Sequence, residues 1–281
     1  MSKAQDYSFY LEGSSNRGVL LVHGLTGSPA EMRFIGKQLH RQGFTVYAPA
    51  LAGHCRDETA LKMTRYEDWV GSLREALSHF RHQVSTVHAA GICVGGALAL
   101  YLAYLEPQAV AKVAIYAPAL DYDGWNQPKW SRAARLMREA LIRIPLVREA
   151  RFTEEHPFGI KSDRIRKALV SNAPGIEGAL PAFPAVALYE NYRLNDALKR
   201  ALPDITTPTL LIHAKEDDVS HPRNSFAIQK RHGGDCEVVL LEDSYHMIHV
   251  DQERHKVAAL TASFFGAPAS LYEEEDGTGG A

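Results

Sequence analysis

The chain has 281 residues, with 31 lysines and arginines against 33 aspartates and glutamates, a formal net charge of −2. That balance argues against a basic nucleic-acid arm or an acidic tether, and a composition 46% hydrophobic and 23% charged is that of a globular protein with a sizeable core. No window approaches the roughly 18 consecutive apolar residues of a membrane-spanning helix, and the first residues lack the apolar stretch of a signal peptide, so the expected location is the cytoplasm.

Short β-rich runs recur along the chain at Tyr7–Leu11, Gly18–His23, Phe44–Ala48, Ser85–Ala90, Lys112–Tyr116, Thr209–His213 and Cys236–Leu241. Several are continuously apolar, as parallel strands buried on both faces require. Between them, Ser28-Pro29-Ala30-Glu31 supplies a cap, a proline at the first helical position and a capping-box acid, predicting a helix to about Gly43. Thr64-Arg65-Tyr66-Glu67 repeats that logic before a helix reaching about Gln83. Strands alternating with helices predict an α/β fold with a mostly parallel, doubly wound sheet.

The alternation breaks from about Leu120 to Asp204, where helical patterns at Trp130–Ile144, Asp163–Ser171 and Ala185–Ala201 dominate and no strand is obvious. The expected division is a core of residues 1–119 and 205–268, a helical insertion over 120–204, and a disordered acidic, glycine-rich tail over 269–281. Cys55, Cys93 and Cys236 are too widely spaced for a disulfide framework, and no C-x-x-C pair suggests zinc or redox chemistry.

Gly91-Ile92-Cys93-Val94-Gly95 stands directly after a strand and before a helix, the setting of a nucleophile elbow with cysteine in place of serine. Gly91 and Gly95 would be required because the tight turn brings backbone too close for side chains. The helix N-terminus that follows favours negative charge on the sulfur. A buried small cysteine beside packing glycines is the competing reading of this segment alone. About 70 residues upstream, a strand ends in His23-Gly24-Leu25-Thr26-Gly27, placing the backbone N–H groups of Leu25 and Val94 as expected oxyanion donors. Downstream, one strand runs into Lys215-Glu216-Asp217-Asp218 and another into Ser244-Tyr245-His246, giving the order nucleophile, acid, histidine.

On these residues the chain resembles the α/β-hydrolase superfamily, in particular the capped carboxylesterase and monoacylglycerol-lipase-like group. V-H-G-L-T-G-S-P, A-P-A-L-A-G-H and Y-E-D-W between Val19 and Trp69 are similar to that group throughout, and the similarity covers about Gly18–Ala119 and Thr207–Phe265. It implies an α/β-hydrolase fold with residues 120–204 as a helical cap, and a triad of Cys93, His246 and Asp217. Asp217 is preferred to Asp218 because A-K-E-D aligns with the group's G-x-x-D turn, and His246 to His249 because S-Y-H stands where S-G-H is usual. His23 then has a structural role. Two departures stand out: Cys93 replaces serine, as in the elbows of dienelactone hydrolases and polyhydroxyalkanoate synthases, and Cys55 stands where the group often has glycine in G-H-G.

From Lys129 to Lys167 there are 11 basic residues against five acids. They either solubilise the outer face of the cap or attract an anionic substrate such as an acyl-CoA or an acyl-carrier protein, with Arg132, Arg135 and Arg138 as candidate contacts. Trp130, Met137, Leu141 and Ile144 would line an acyl pocket or pack the cap. The expected activity is that of a cysteine-nucleophile acyl hydrolase, a carboxylesterase or thioesterase working through a thioester. The alternatives are an acyltransferase of the same fold, passing the acyl group to an amine, alcohol or thiol, and a non-catalytic ligand-binding homologue. No metal, cofactor or nucleic-acid partner is expected, and oligomeric state is not readable from the sequence.

Overall fold

A computed structural model of the chain describes residues 7–128, 131–153, 155–171 and 177–267, with backbone alone at 131, 132 and 169–171. The order is β1 Phe9–Leu11, β2 Arg17–Val22, a 3-10 turn at Pro29–Met32, α1 Arg33–Arg41, β3 Thr45–Ala48, α2 Glu58–Lys62, α3 Tyr66–Phe80, β4 Thr86–Ile92, α4 Val94–Leu105 and β5 Val113–Tyr116. Then come α5 Ser131–Leu136, α6 Arg138–Leu141, α7 Pro145–Arg148, β6 Arg151–Thr153, α8 Asp163–Ser171, β7 Ala182–Pro184 and α9 Ala185–Ala201. The chain closes with β8 Thr209–Ala214, α10 Arg223–Arg231, β9 Cys236–Leu241 and α11 Arg254–Phe264.

Seven strands form one sheet in the order β1-β3-β2-β4-β5-β8-β9, parallel except for the antiparallel β1–β3 edge pair. This is the mostly parallel sheet that the alternation predicts. Its central strands are buried along their length, with β5 and β8 closed off at every residue, because helices cover both faces. Small residues set how close those helices come. A Cβ on Gly96 of α4 would lie 2.3 Å from the Ile115 side chain of β5, so α4 lies directly on the strands and places its N-terminus at their carboxyl ends.

Two helix starts differ in detail from the sequence reading. Ser28 caps the 3-10 turn by accepting from the Ala30 N–H at 3.2 Å, while the Glu31 carboxylate accepts from the Gly24 N–H at 2.6 Å. At α3 the cap residue is Arg65, one later than expected, and Asp68 rather than Glu67 reaches back to the Arg65 N–H at 2.8 Å. Thr64 instead accepts from the Trp69 indole at 3.0 Å.

The 120–204 segment contains strands after all. β6 and β7 form a two-stranded antiparallel sheet, and the helix expected over Trp130–Ile144 is broken into α5 and α6 at Met137, which has φ −95° and ψ 3°. α9 packs against α3 and α4 and places Leu194, Leu198 and Ala201 in the main core. Trp130 and the acidic tail lie outside the described residues. Among the described residues no helix is long and apolar enough to cross a membrane.

Candidate active site

Cys93 sits between β4 and α4 with φ 54° and ψ −114°. Only tight surroundings hold an L-residue in such a conformation. A Cβ on Gly91 would lie 2.4 Å from the Gly95 carbonyl carbon, and one on Gly95 would lie 2.3 Å and 2.4 Å from the carbonyl oxygens of Val22 and His23. Both glycines are therefore demanded by backbone contact. The second contact also presses the elbow against the loop leaving β2, which carries Leu25, while Val94 opens α4 with its N–H unclaimed by the helix ladder.

His246 lies in the loop after β9 and makes a side-chain hydrogen bond with Cys93. Its Nδ1 is 2.8 Å from Asp217 Oδ2. Burial alone would push this imidazole down, but the Asp217 carboxylate and the Cys93 sulfur together hold its pKa well above the ordinary value. Asp217 is itself buried, which by itself would raise its pKa. The charge of His246 and the hydrogen bonds from His213 and His246 hold it well below the usual carboxylate range. Its Oδ1 accepts from the N–H groups of Val219 at 2.8 Å and Ser220 at 2.7 Å.

The neighbouring candidates face elsewhere. Asp218 accepts from the His246 N–H at 3.2 Å through Oδ1 and from the Gly159 N–H at 3.1 Å through Oδ2, tying the histidine loop to the 120–204 segment. His249 is fully buried, its pKa driven to about 3 by burial and by the charge of His246. Neither of its ring nitrogens finds a partner among the described residues. His23 accepts from the Leu51 N–H at 3.2 Å and lies 2.9 Å from the Gly24 carbonyl through Nδ1. Burial lowers it to about 3, so it remains a neutral staple of the loop that carries Leu25.

Three contributors escaped the sequence reading. His213, on β8, reaches the same Asp217 oxygen as His246. Glu31 anchors the Gly24 N–H. Tyr122, in the loop after β5, makes a side-chain hydrogen bond with Cys93, and no motif marks it.

Cys93, His246 and Tyr122 open on a cavity of about 840 Å³. Apolar side chains including Leu141, Val147, Phe152, Leu180, Phe183 and Leu188 line much of it. Of the residues expected there, Met137 and Ile144 are exposed instead, having been turned outward where the helix breaks. Arg135 and Arg138 do border the cavity, but their charge is already engaged. Arg135 pairs with Asp121 and lies 3.9 Å from Asp196; Arg138 pairs with Asp196; and Lys199 lies 3.7 Å from Asp121. Both arginines therefore reach the cavity wall already ion-paired. The Arg132 side chain lies outside the described residues.

Comparison with known proteins bears on the fold and the family. Residues 13–253 match the family model Hydrolase_4, described as serine aminopeptidase, S33. The chain is 29% identical over 262 residues to a thermostable monoacylglycerol lipase of Bacillus sp. (strain H-257), covering 93% of this chain and 94% of that one. A structure from work on LipS and LipT, two metagenome-derived lipolytic enzymes, superposes with a TM-score of 0.77 at 26% identity, covering 92% and 96% of the two chains. The monoacylglycerol lipase of Paleococcus ferrophilus shares the fold, with a TM-score of 0.76 at 17% identity and coverage of 93% and 98%.

Proposed function

The chain belongs to the Hydrolase_4 family and is an α/β-hydrolase of the esterase and lipase type; on that premise we propose that it cleaves acyl esters or thioesters through Cys93, His246 and Asp217, by way of a thioester. The observation that carries this reading is the hydrogen-bonded line from Asp217 through His246 to Cys93 at the edge of the apolar cavity.

The thiol proton passes to His246, whose imidazolium Asp217 stabilises. The sulfur bonds to the acyl carbon, and the carbonyl π pair moves onto oxygen, where the N–H groups of Leu25 and Val94 receive it. His246 then protonates the leaving oxygen or sulfur as its bond to carbon breaks. Water attacks the thioester, His246 takes its proton, and the acid leaves as the Cys93 sulfur is restored. The cavity's apolar lining suits an acyl chain, so a monoacylglycerol is a sensible first substrate beside simple carboxylic esters and thioesters.

A second reading rests on the same sulfur. A thioester passes its acyl group readily to an amine, alcohol or thiol, so acyl transfer competes with hydrolysis wherever such an acceptor enters the cavity. The neutralised Arg135 and Arg138 weigh against an acyl-CoA or acyl-carrier protein as the preferred donor.

Intact-protein mass spectrometry after mixing with an activated acyl ester tests both readings. Hydrolysis gives an acyl adduct on the parent protein, none on Cys93→Ala, and decay in buffer alone. An adduct that persists until an amine, alcohol or thiol is added assigns acyl transfer. Parent-like adduct and turnover in Cys93→Ala would overturn the role of Cys93.

A further inference from the structure

The loop after β5 leaves the sheet through Ala117, whose φ is 43°, and carries Tyr122 across the elbow. Neighbouring contacts give that loop little freedom. The Gly124 N–H donates to the Val219 carbonyl at 2.9 Å and the Asn126 N–H to that of Asp218 at 3.0 Å. A Cβ on Gly124 would fall 2.4 Å from the Asp218 carbonyl carbon. The Asp123 carboxylate accepts from the His221 N–H and the Asn224 amide, each at 2.9 Å. The loop carrying Tyr122 is thus bolted to the loop carrying Asp217.

Asn191, fully buried on α9, donates through Nδ2 to the Tyr122 hydroxyl oxygen at 3.0 Å. The Tyr192 ring packs edge-on against the Tyr122 ring at 5.9 Å. Asn191 supplies a proton to the phenol oxygen, and the phenol's hydrogen bond with the Cys93 sulfur is made with its own proton, since a thiolate can only accept.

We propose that Tyr122 is a further catalytic residue, whose hydroxyl donates to the Cys93 sulfur in the resting enzyme and stabilises the thiolate, with Asn191 as its positioning residue. This rests on Cys93 being the nucleophile. Two donors then converge on the sulfur, His246 after taking its proton and Tyr122 while keeping its own. Burial raises the Tyr122 pKa well above the ordinary phenol value, which keeps it a donor throughout the working range. When the S–C bond forms, the negative charge moves to the carbonyl oxygen, and the Tyr122 bond to sulfur weakens without any proton leaving the phenol. The other ionisable groups bordering the site are Glu31 in the β2–α1 loop, Arg135 of α5, Arg138 of α6, Glu155, Arg166 of α8, Tyr189 and Tyr192 of α9, and Asp218 beside His246.

A hydrogen bond to a thiolate leaves a signature that a packing role does not. It raises the fraction ionised but lowers the nucleophilicity of each thiolate, with a Brønsted slope of about 0.4–0.5. The experiment is the rate of reaction of the full-length protein with a dipyridyl disulfide across a pH series, for the parent, Tyr122→Phe and Asn191→Ala. Cys93→Ala supplies the background from Cys55 and Cys236. That background is low, since Cys55 is buried and burial pushes the Cys236 thiol up to about 12.

The Tyr122→Phe profile is expected to lie about one pH unit higher, with rates about threefold lower on the acid side and about threefold higher on the alkaline plateau, so that the curves cross. Asn191→Ala moves the same way by less, and both variants displace the acid limb of kcat/KM for a chromogenic ester in parallel. A Tyr122→Phe profile that coincides with the parent's, or lies below it by one factor at every pH, overturns the proposal. Parent-like ester turnover in Cys93→Ala would instead remove the nucleophile itself, and Tyr122's role with it; the control separates that failure from the other.

Discussion

His213 Nε2 lies 3.1 Å from Oδ2 of Asp217, the oxygen that also takes His246 Nδ1 at 2.8 Å. The acid therefore serves two buried histidines. His213 Nε2 is also 2.8 Å from the Ser220 carbonyl, which can only accept, so that nitrogen carries a proton; Nδ1 lies 2.8 Å from the Ser225 hydroxyl. His213 thus acts as a second donor that holds the carboxylate ionised and aimed at His246.

Replacing His213 with alanine takes one of these donors from a buried carboxylate, which costs about 1–3 kcal/mol. A depressed carboxyl pKa contributes stability that is present above the unfolded value near 3.9 and lost as pH falls through the folded one. Without His213 the Asp217 pKa rises, so acid unfolding of His213→Ala begins at higher pH than in the parent, and kcat falls roughly tenfold as His246 loses its orientation. Thermal unfolding between neutral pH and about pH 3 checks the first, and steady-state ester hydrolysis the second. Coincident acid-unfolding curves would contradict this role.

Cys93→Ala should lower turnover by about 10⁶-fold, the scale seen on removing a nucleophile that acts as one unit with its base. Cys93→Ser is the more informative change. It exchanges a thioester for an oxygen ester, which is less reactive toward amines, so the ratio of amide to acid product in the presence of a small amine should fall. Product analysis at fixed amine concentration reads this directly. An unchanged ratio would mean that acyl transfer does not pass through the side chain at 93.

The sheet was legible because buried parallel strands are continuous apolar runs, and every strand from β2 to β9 of the main sheet lies on or beside one. β6 and β7 were not legible. Arg-Phe-Thr and Ala-Phe-Pro are too short to show a period, and they become strands only by pairing across the intervening α8 segment. In the site, Cys93, Asp217 and His246 stood out through their elements and order. Tyr122 did not, because its partners come from the β4–α4 elbow and α9, and nothing in Leu120-Asp-Tyr-Asp encodes that meeting. The ion pairing of Arg135 and Arg138 was hidden for the same reason: Asp196 lies about 60 residues beyond them.

That charge cluster has its own pH dependence. Burial, with Arg135 adding to it, lowers Lys199 to about 8. A lysine whose folded pKa lies below its unfolded value near 10.4 destabilises the fold while it is protonated, so its penalty is present below about pH 8 and disappears as pH rises toward 10.4. Lys199→Met should therefore stabilise the protein at neutral pH by about 1–2 kcal/mol, a figure reduced for partial exposure, with the advantage fading toward pH 10. Melting temperatures across that range test it. A destabilised Lys199→Met at neutral pH would show that the pairing with Asp121 outweighs the cost of burial.

Cys55 occupies a glycine's conformation, with φ 61°, while remaining buried. The left-handed backbone costs an L-residue about 1–2 kcal/mol, and Cys55→Gly relieves it while losing a buried side chain of about 1 kcal/mol and gaining chain entropy when unfolded. These terms nearly cancel. Cys55→Gly should stay within about 1 kcal/mol of the parent in stability and keep its ester turnover and its adduct at Cys93. Loss of the adduct would show that the Gly53-His54-Cys55 loop controls access to the site.

Asp251 joins the loop after β9 to the 120–204 segment. Fully buried, it accepts from the N–H groups of Tyr245 at 3.0 Å, Lys161 at 2.7 Å and Ser162 at 3.0 Å, so one carboxylate fixes both the residue before His246 and the chain entering α8. Asp251→Asn preserves the volume but turns an NH₂ group toward at least one of these donors, leaving a buried N–H unsatisfied at a cost of about 1–3 kcal/mol. Both segments then loosen together. kcat should fall and KM rise in the same variant, and limited proteolysis between 150 and 180 should accelerate. A lower kcat with KM and proteolysis unchanged would confine Asp251 to the histidine loop.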